Sequence, residues 1–301
     1  MIVSQHVLAL IGAALTNVSA QPPAPSEREP QPPVEVAEDA GAIRVPPHDW
    51  KAGDPIDDAD DLLVALETAD KDIRTFKADV RYTRVFSLAG DEQVRDGTLY
   101  FETVDRGDEK TPALRRFAVI FTSLRVGSRL EKERKEYIFD GTNLVEKLPD
   151  EKDRVFIKRQ VVAPGERFDP LRVGQGPFPV PVGQRRSEVV ERYVARLAPA
   201  TEGLDDESLI KFVSGTKESE GTWQLVLTPR VAPQDADEQT EIRVWYRKSD
   251  LLPRLAITTN LSGDVSTVQM LNPENNPKDL PHRVFDTAVP ARGWNVRVEE
   301  Y

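Results

Sequence analysis

The residue types that most often perform catalysis or hold metals are scarce in this sequence. It contains no cysteine and only three histidines, His6, His48 and His282. The lack of cysteine excludes disulfides, thiolate catalysis, cysteine-ligated zinc and lipid attachment to an N-terminal Cys. His48 and His282 each follow a proline, which favours exposed loop positions over a catalytic or metal-binding pair. The sequence therefore predicts no metal site, no cofactor and no enzyme.

Two short motifs resemble catalytic signatures but lack their context. Ser208-Leu209-Ile210-Lys211 matches the S-x-x-K of serine β-lactamases, which also need a helix start and the motifs S-D-N and K-T-G. Those motifs are absent from the sequence, and we expect Ser208 to lead into a strand. Gly174-Gln175-Gly176 begins like a dinucleotide-binding loop, but Pro179 takes the place of the third glycine. Neither motif predicts an active site.

Acidic residues dominate the charge of the chain. The sequence has 51 Asp and Glu against 40 Lys and Arg, a net charge of −11, and residues 1–20 contain none of these four types. Such a chain repels polyanions, which argues against a nucleic-acid partner. Because carboxylates are so abundant, a hydrolase built on two of them stays open, although no spacing favours it.

The first twenty residues have the pattern of a cleavable signal peptide. The apolar run from Val7 to Leu15 is too short to span a bilayer, and Val18-Ser19-Ala20 is a small-residue cleavage site. We therefore expect export, cleavage near Ala20 and a periplasmic protein that does not span the membrane. The alternative is a disordered apolar tail.

Residues 21–55 are expected to form a disordered linker, because prolines recur there among Glu and Asp with few apolar residues. A single domain is then predicted over residues 56–301. It should open with a helix, since acidic residues at 57–61 can cap one and Leu62, Leu66 and Ile73 recur at helical spacing. That helix is predicted to run to about Arg74.

From Phe76 onward the hydrophobic period changes to two, which is typical of strands. Residues 76–83, 93–102 and 116–122 are predicted strands, and residues 135–161 are predicted to form three more. In that last stretch Asp140-Gly141 tolerates the positive φ of a tight hairpin turn.

Residues 163–184 interrupt the strands, because prolines at 177, 179 and 181 forbid a helix or a ladder. Ser187 is predicted to cap a helix that carries Val190, Val194 and Leu197 and ends before Pro199. Further strands are predicted at 210–215, 223–228, 240–247, 255–260, 265–271, 283–286 and 294–298.

The predicted fold class is α+β. A strongly curled antiparallel sheet of about eleven strands forms an incomplete β-barrel, lidded by two or three helices.

The order of these signals is similar to that of the LolA/LolB lipoprotein-carrier superfamily. The matching motifs span roughly residues 60–300: Gly97-Thr98-Leu99-Tyr100, Asp140-Gly141-Thr142-Asn143-Leu144, Leu227-Thr228-Pro229, Leu252-Pro253, and Phe285 through Pro290 and Gly293 to Val296.

The resemblance implies an incomplete barrel that holds acyl chains in a dry interior, as in carriers that move lipoproteins from the inner to the outer membrane. The carriers place an Arg-Pro after the G-x-L-aromatic strand, where its Arg latches the lid. Here Glu102-Thr103-Val104 occupies that place, so the latch of the carriers is missing.

Apolar residues on the predicted sheet are the candidates for lining a ligand cavity, since apolar pockets with few polar groups bind apolar ligands. The candidates are Val80, Tyr82, Tyr100, Phe117, Val119, Phe121, Trp223, Leu225, Leu227, Ile242, Val244, Leu255 and Ile257. The alternative is that the same residues pack as a filled core. Phe178, Val180 and Val182 form a candidate lid or partner-binding strip, or an inert connector.

These features predict a periplasmic, non-enzymatic carrier or binder of acyl chains or lipoproteins. One alternative is an envelope sensor or interaction protein that uses the sheet to dock a protein partner without carrying lipid. A less favoured one is an envelope hydrolase.

Overall fold

The computed structural model describes residues 54–70, 73–104, 113–149, 154–162, 185–215 and 221–299. Within these ranges the chain is mostly β, with thirteen strands in one large sheet. The helices are α1 (Ala59–Asp70), α2 (Arg186–Arg192), α3 (Glu207–Ser214) and a 3₁₀ helix (His282–Phe285).

The strands fall into two consecutive groups. The first group is β1 (Thr75–Val85), β2 (Glu92–Val104), β3 (Leu114–Val126), β4 (Arg129–Glu131), β5 (Lys135–Phe139), β6 (Asn143–Leu148) and β7 (Val155–Gln160). The second is β8 (Tyr193–Ala198), β9 (Thr222–Pro229), β10 (Gln239–Arg247), β11 (Pro253–Asn260) and β12 (Val265–Asn275), and β13 (Asn295–Glu299) follows.

The strand order is β13-β7-β6-β5-β3-β2-β1-β12-β11-β10-β9-β8, with β4 paired to β3. Each group is therefore a meander of sequential antiparallel strands, and the two meanders meet where β1 pairs with β12. In the described part of the chain the sheet is not closed into a barrel, and β13 and β8 are its two edges.

Helix α1 begins where the acidic residues predict. The Asp58 carboxylate accepts hydrogen bonds from the backbone N–H groups of Asp60, at 2.8 Å, and Asp61, at 2.9 Å, which satisfies donors that a helix leaves open at its start. Leu62 and Leu66 are buried on the predicted stripe. The helix ends at Asp70, earlier than expected, since Arg74 immediately precedes β1.

Two short apolar runs were wrongly predicted. The helix at Ser187 ends at Arg192, and residues 193–198 form strand β8 beside β9. Conversely, residues 210–215 were predicted as a strand but belong largely to α3, because Asp206 caps a helix there by accepting from the Ser208 N–H at 2.6 Å. Short apolar runs fit either period, so tertiary pairing decides between them.

The C-terminal strands also differ from expectation. Residues 283–286 lie in or beside the 3₁₀ helix instead of a strand. β13 runs parallel to β7, so the sheet is not wholly antiparallel. The sheet has thirteen strands where about eleven were expected: β4 and β8 were not anticipated, and the strands predicted at 210–215 and 283–286 do not form.

The hairpins predicted over residues 135–161 are confirmed as β5, β6 and β7. At their first turn the Asp140 carboxylate accepts from the Asn143 N–H, at 2.7 Å, and from the Thr287 hydroxyl, at 2.8 Å. Burial opposes ionisation of Asp140, but hydrogen bonds from Asn143, Thr287 and Thr142 outweigh it and lower the pKa of this carboxyl. The turn is thereby joined to the segment after the 3₁₀ helix.

Among the described helices, none has both the length and the apolar character needed to cross a membrane.

Candidate functional site

The pairing register divides the thirteen cavity candidates between the two faces of the sheet. Residues directly opposite each other on paired strands point to the same side. One side, the helix face, carries α1 and ten candidates: Val80, Tyr82, Phe117, Val119, Phe121, Trp223, Leu225, Leu227, Ile242 and Val244.

The remaining three candidates, Tyr100, Leu255 and Ile257, lie on the opposite face. Tyr100 pairs with Ala118 and packs in a cluster with Phe285 of the 3₁₀ helix. Leu255 and Ile257 pack with Val213 of α3. The structure therefore does not bring these three together with the other ten.

The helix face itself has two differently covered regions. In the helix-covered half, the α1 residues Leu62, Leu63 and Leu66 form one buried cluster with strands β9 and β10. Candidates Leu225, Leu227, Ile242 and Val244 belong to it, with Trp223 at its margin. In this half the candidates contact a helix in the manner of an ordinary core.

The aromatic half is formed by β1, β2, β3, β5 and β12. It contains Val80, Phe117, Val119 and Phe121 from the candidates, with Tyr82 packed against them. No described helix belongs to this cluster, and the described residues outside its strands are Ile73, Leu144, Val161, Val162 and Leu252.

Aromatic rings give this half its shape. The ring centroids of Phe117 and Phe139 are 5.9 Å apart and stacked, and those of Phe121 and Tyr137 are 6.4 Å apart, edge to face. Tyr82 lies 6.1 Å from Phe121, and its hydroxyl is 3.2 Å from the Ser266 hydroxyl. These separations are typical of favourable ring pairs, so the rings form an ordered apolar cluster, in which all but Tyr82 are buried.

Gly97 of the G-x-L-aromatic motif lies in the middle of this half, opposite Val80 and Phe121. A β-bulge shifts the β2–β3 register beside it. A Cβ at this position would lie 2.2 Å from the Ile120 carbonyl oxygen and 2.8 Å from the Phe121 Cα. Only glycine permits this approach of two backbones.

A charged collar of Arg95, Glu133, Lys135 and Glu146 borders the aromatic half. Arg95 Nε lies 3.2 Å from Glu133, and Lys135 Nζ lies 2.8 Å from Glu146; all four side chains are largely buried. Lys135 also lies 5.1 Å from the centre of the Tyr137 ring. Burial, followed by the Glu146 carboxylate, raises the pKa of the Tyr137 phenol. The aromatic half thus has an apolar ring cluster next to the charged collar.

Several cluster residues were not among the predicted candidates. The alternation of β1 points to Phe76, which shares a face with Val80 and Tyr82. Phe101 was passed over in favour of its neighbour Tyr100, because both sides of β2 are apolar and only the register with β1 separates them. Tyr137 and Phe139 were read as strand residues without assignment to a face.

The predicted strip of Phe178, Val180 and Val182 lies outside the described residues, as does His48. His282 is exposed, with Nδ1 3.7 Å from Glu102. Ser208 lies in the first turn of α3, not before a strand, and Lys211 faces solvent beside Glu207. In the described part of the chain, no group of three or more His, Asp or Glu side chains is arranged to hold a metal ion.

Comparisons with known proteins find distant structural similarity to several solved structures. No family model and no curated protein matches the chain. Solved structures with a similar arrangement include a chain of the Pseudomonas aeruginosa MucA/MucB complex, with 17% identity and a TM-score of 0.39 over 75% of this chain and 60% of that one. This chain therefore spans less than two thirds of that relative's length.

The structural neighbours include the superfamily that the sequence motifs resemble. A LolA superfamily protein from Nitrosomonas europaea has 14% identity and a TM-score of 0.30, covering 76% of this chain and 97% of that one. A putative outer membrane lipoprotein-sorting protein domain from Vibrio parahaemolyticus has 10% identity and a TM-score of 0.33, covering 75% and 95%. At these TM-scores no function of this chain follows from the likeness.

Proposed function

We propose that this chain is an exported, periplasmic, non-enzymatic protein that binds acyl chains, free or as part of a lipoprotein, in the aromatic half of the helix face. In this proposal residues 1–20 are a signal peptide and residues 21–55 a linker. The domain over residues 56–301 curls its sheet into an incomplete barrel around the ligand, and the strip Phe178 to Val182 acts as its lid.

One observation carries the proposal: the ring cluster is bordered by a charged collar and contains no described helix. The helix-covered half buries its apolar face against α1, which is the usual way to complete a core. In the aromatic half Phe117 and Phe121 are buried and Tyr82 is partly buried, in a cluster that no described helix joins. An amphipathic ligand suits this arrangement, because its chain would contact rings while its polar end lies near Lys135 and Arg95.

The first experiment is native mass spectrometry with lipid extraction on the mature protein, expressed from the full-length gene and purified from a periplasmic fraction. A stoichiometric acyl-chain adduct, or saturable uptake of a fluorescent fatty acid, is the expected result. A ligand-free mass together with no uptake would contradict the proposal and leave the aromatic half as a filled core.

A matched pair of substitutions locates the binding. Phe121→Ala removes a buried ring from the aromatic half, and Leu227→Ala removes a buried side chain from the helix-covered half of the same face. Both should cost about 3 kcal/mol of folding free energy. Only Phe121→Ala should weaken fatty-acid binding, by about tenfold, measured at a temperature where both variants stay folded. Equal affinities for the two variants would place the ligand elsewhere.

A further inference from the structure

Three loops lie at one end of the sheet. β1 ends at Val85, which pairs with both Glu92 at the start of β2 and Val265 at the start of β12. Asn260 at the end of β11 pairs with Gln239 at the start of β10. Antiparallel pairing therefore brings residues 86–91, 230–238 and 261–264 to the same edge, and we call them the three-loop platform.

Hydrogen bonds hold the platform together. The Ser87 hydroxyl donates to the Ser262 carbonyl at 2.6 Å, and the Ser87 N–H donates to the Asp264 carboxylate at 3.0 Å. The Leu261 N–H donates to the Glu238 carbonyl at 2.8 Å, and the Ser262 N–H to the Ala236 carbonyl at 3.0 Å. Such bracing lowers the entropy lost when a surface binds a partner.

Each loop of the platform has one exposed aliphatic side chain. Leu88 is 95% exposed, Val231 77% and Leu261 48%, one from each loop. None of them has a structural task in the described part of the chain, since all lie outside the buried clusters. Contiguous exposed apolar patches mark interaction sites, and one aliphatic residue on each of three braced loops is a candidate for such a patch.

The platform loops also carry acidic residues. Asp91, Asp235, Asp237 and Glu238 form no ion pair with another described residue, and the Glu238 carboxylate accepts from the Gln234 N–H at 2.7 Å. Two bases lie nearby: Arg84 is neutralised by Asp264, 3.0 Å away, and Arg230 keeps its charge while it donates to the Val190 carbonyl at 2.8 Å. The platform therefore combines three exposed aliphatic residues with more acidic than basic side chains.

We propose that the three-loop platform docks a basic, amphipathic protein segment, whose apolar side chains contact Leu88, Val231 and Leu261 while its Lys or Arg residues meet the four carboxylates. Charge complementarity selects this partner. A bilayer surface containing anionic lipids is disfavoured, because the same carboxylates would be repelled by it.

The test uses the full chain and a labelled synthetic lysine/leucine amphipathic helical peptide, followed by fluorescence anisotropy. A glutamate/leucine peptide of the same pattern and vesicles of phosphatidylcholine with phosphatidylglycerol are the competing probes. One variant combines Leu88→Ser, Val231→Ser and Leu261→Ser, and a second combines Asp235→Asn with Asp237→Asn. The control variants are Val289→Ser and Asp205→Asn, which change exposed residues outside the platform.

The wild type should bind the lysine/leucine peptide and not the glutamate/leucine peptide. Each platform variant should weaken that binding about tenfold, while the controls leave it unchanged. Equal binding of both peptides, unaltered affinity in the platform variants, or association with vesicles alone would overturn the proposal. Fatty-acid uptake should be the same in all these variants, so failure here is distinguishable from failure of the acyl-chain site.

Discussion

The aromatic half and the helix-covered half share one face of one sheet, yet they complete that face in different ways. In the helix-covered half, leucines of α1 interdigitate with Leu225, Leu227 and Val244. In the aromatic half, stacked rings are bordered by ion pairs and no described helix joins the cluster. The residues that pack on top, more than strand alternation, distinguish a structural core from a candidate ligand surface.

The two halves of the helix face come from different parts of the chain. Most of the aromatic half comes from the first meander, with β12 added at the junction, and the helix-covered half comes from the second. Although α1 precedes β1, it packs on the second meander, and Arg186 at the start of α2 pairs with Asp60 of α1. The first meander is thus left without the helix that lies next to it in sequence.

The largest effect is expected at Gly97, where the backbones of β2 and β3 approach closely in the middle of the aromatic half. Gly97→Ala should cost about 3 kcal/mol of folding free energy, because the new Cβ meets backbone atoms that cannot move independently. Urea unfolding measures it. The control Gly90→Ala has a positive φ but open space, and should cost about 1 kcal/mol. A loss at Gly97 no larger than that at Gly90 would show that small shifts of β2 and β3 relieve the crowding.

A smaller effect is expected from the charged collar that borders the aromatic half. Lys135→Met should cost about 2 kcal/mol, because it leaves the largely buried Glu146 carboxylate without its cation. The double variant Lys135→Met/Glu146→Leu should recover most of that loss. Lys211→Met, which breaks an exposed pair with Glu207, should change the free energy of unfolding by less than about 0.5 kcal/mol.

The smallest effect concerns the turn that joins β5 to β6, strands that flank the aromatic half. The lowered pKa of Asp140 means that its ionised form stabilises the fold above the unfolded pKa, and that this contribution is lost as pH falls through the folded value. Asp140→Asn should therefore cost about 1 kcal/mol at neutral pH. Its urea midpoint should also fall less than that of the wild type when the pH is lowered below about 4. Parallel curves for the two proteins would exclude this role.

Many strands of the sheet can be predicted from local sequence patterns, whereas the residues of the candidate site mostly cannot. Alternation in residues 76–83 and the Asp140-Gly141 turn identify β1 and the β5–β6 hairpin, because each signal is complete within a few residues. Residues 193–198 were misread, since Val190, Val194 and Leu197 fit helical spacing as well as the strand that β9 imposes. A short run carries too little periodicity to decide.

Assignment of residues to faces requires contacts that local sequence does not contain. Tyr100 and Phe101 are equally apolar neighbours, and only the pairing of Phe101 with Phe76 places it in the cluster. Likewise the bulge beside Gly97 changes which β3 residue faces the rings. The aromatic character of the first meander was visible in the sequence, but its register was not.

The junction of β1 with β12 has a consequence for folding kinetics. Lys77 and Glu274 meet across it although they are 197 residues apart in the chain, so this pairing raises the contact order and should form late. During synthesis β1 remains an open edge, with its aromatic face adjacent, until the second meander is present. For that interval the nascent chain carries an aggregation-prone strand edge that a chaperone would need to shield.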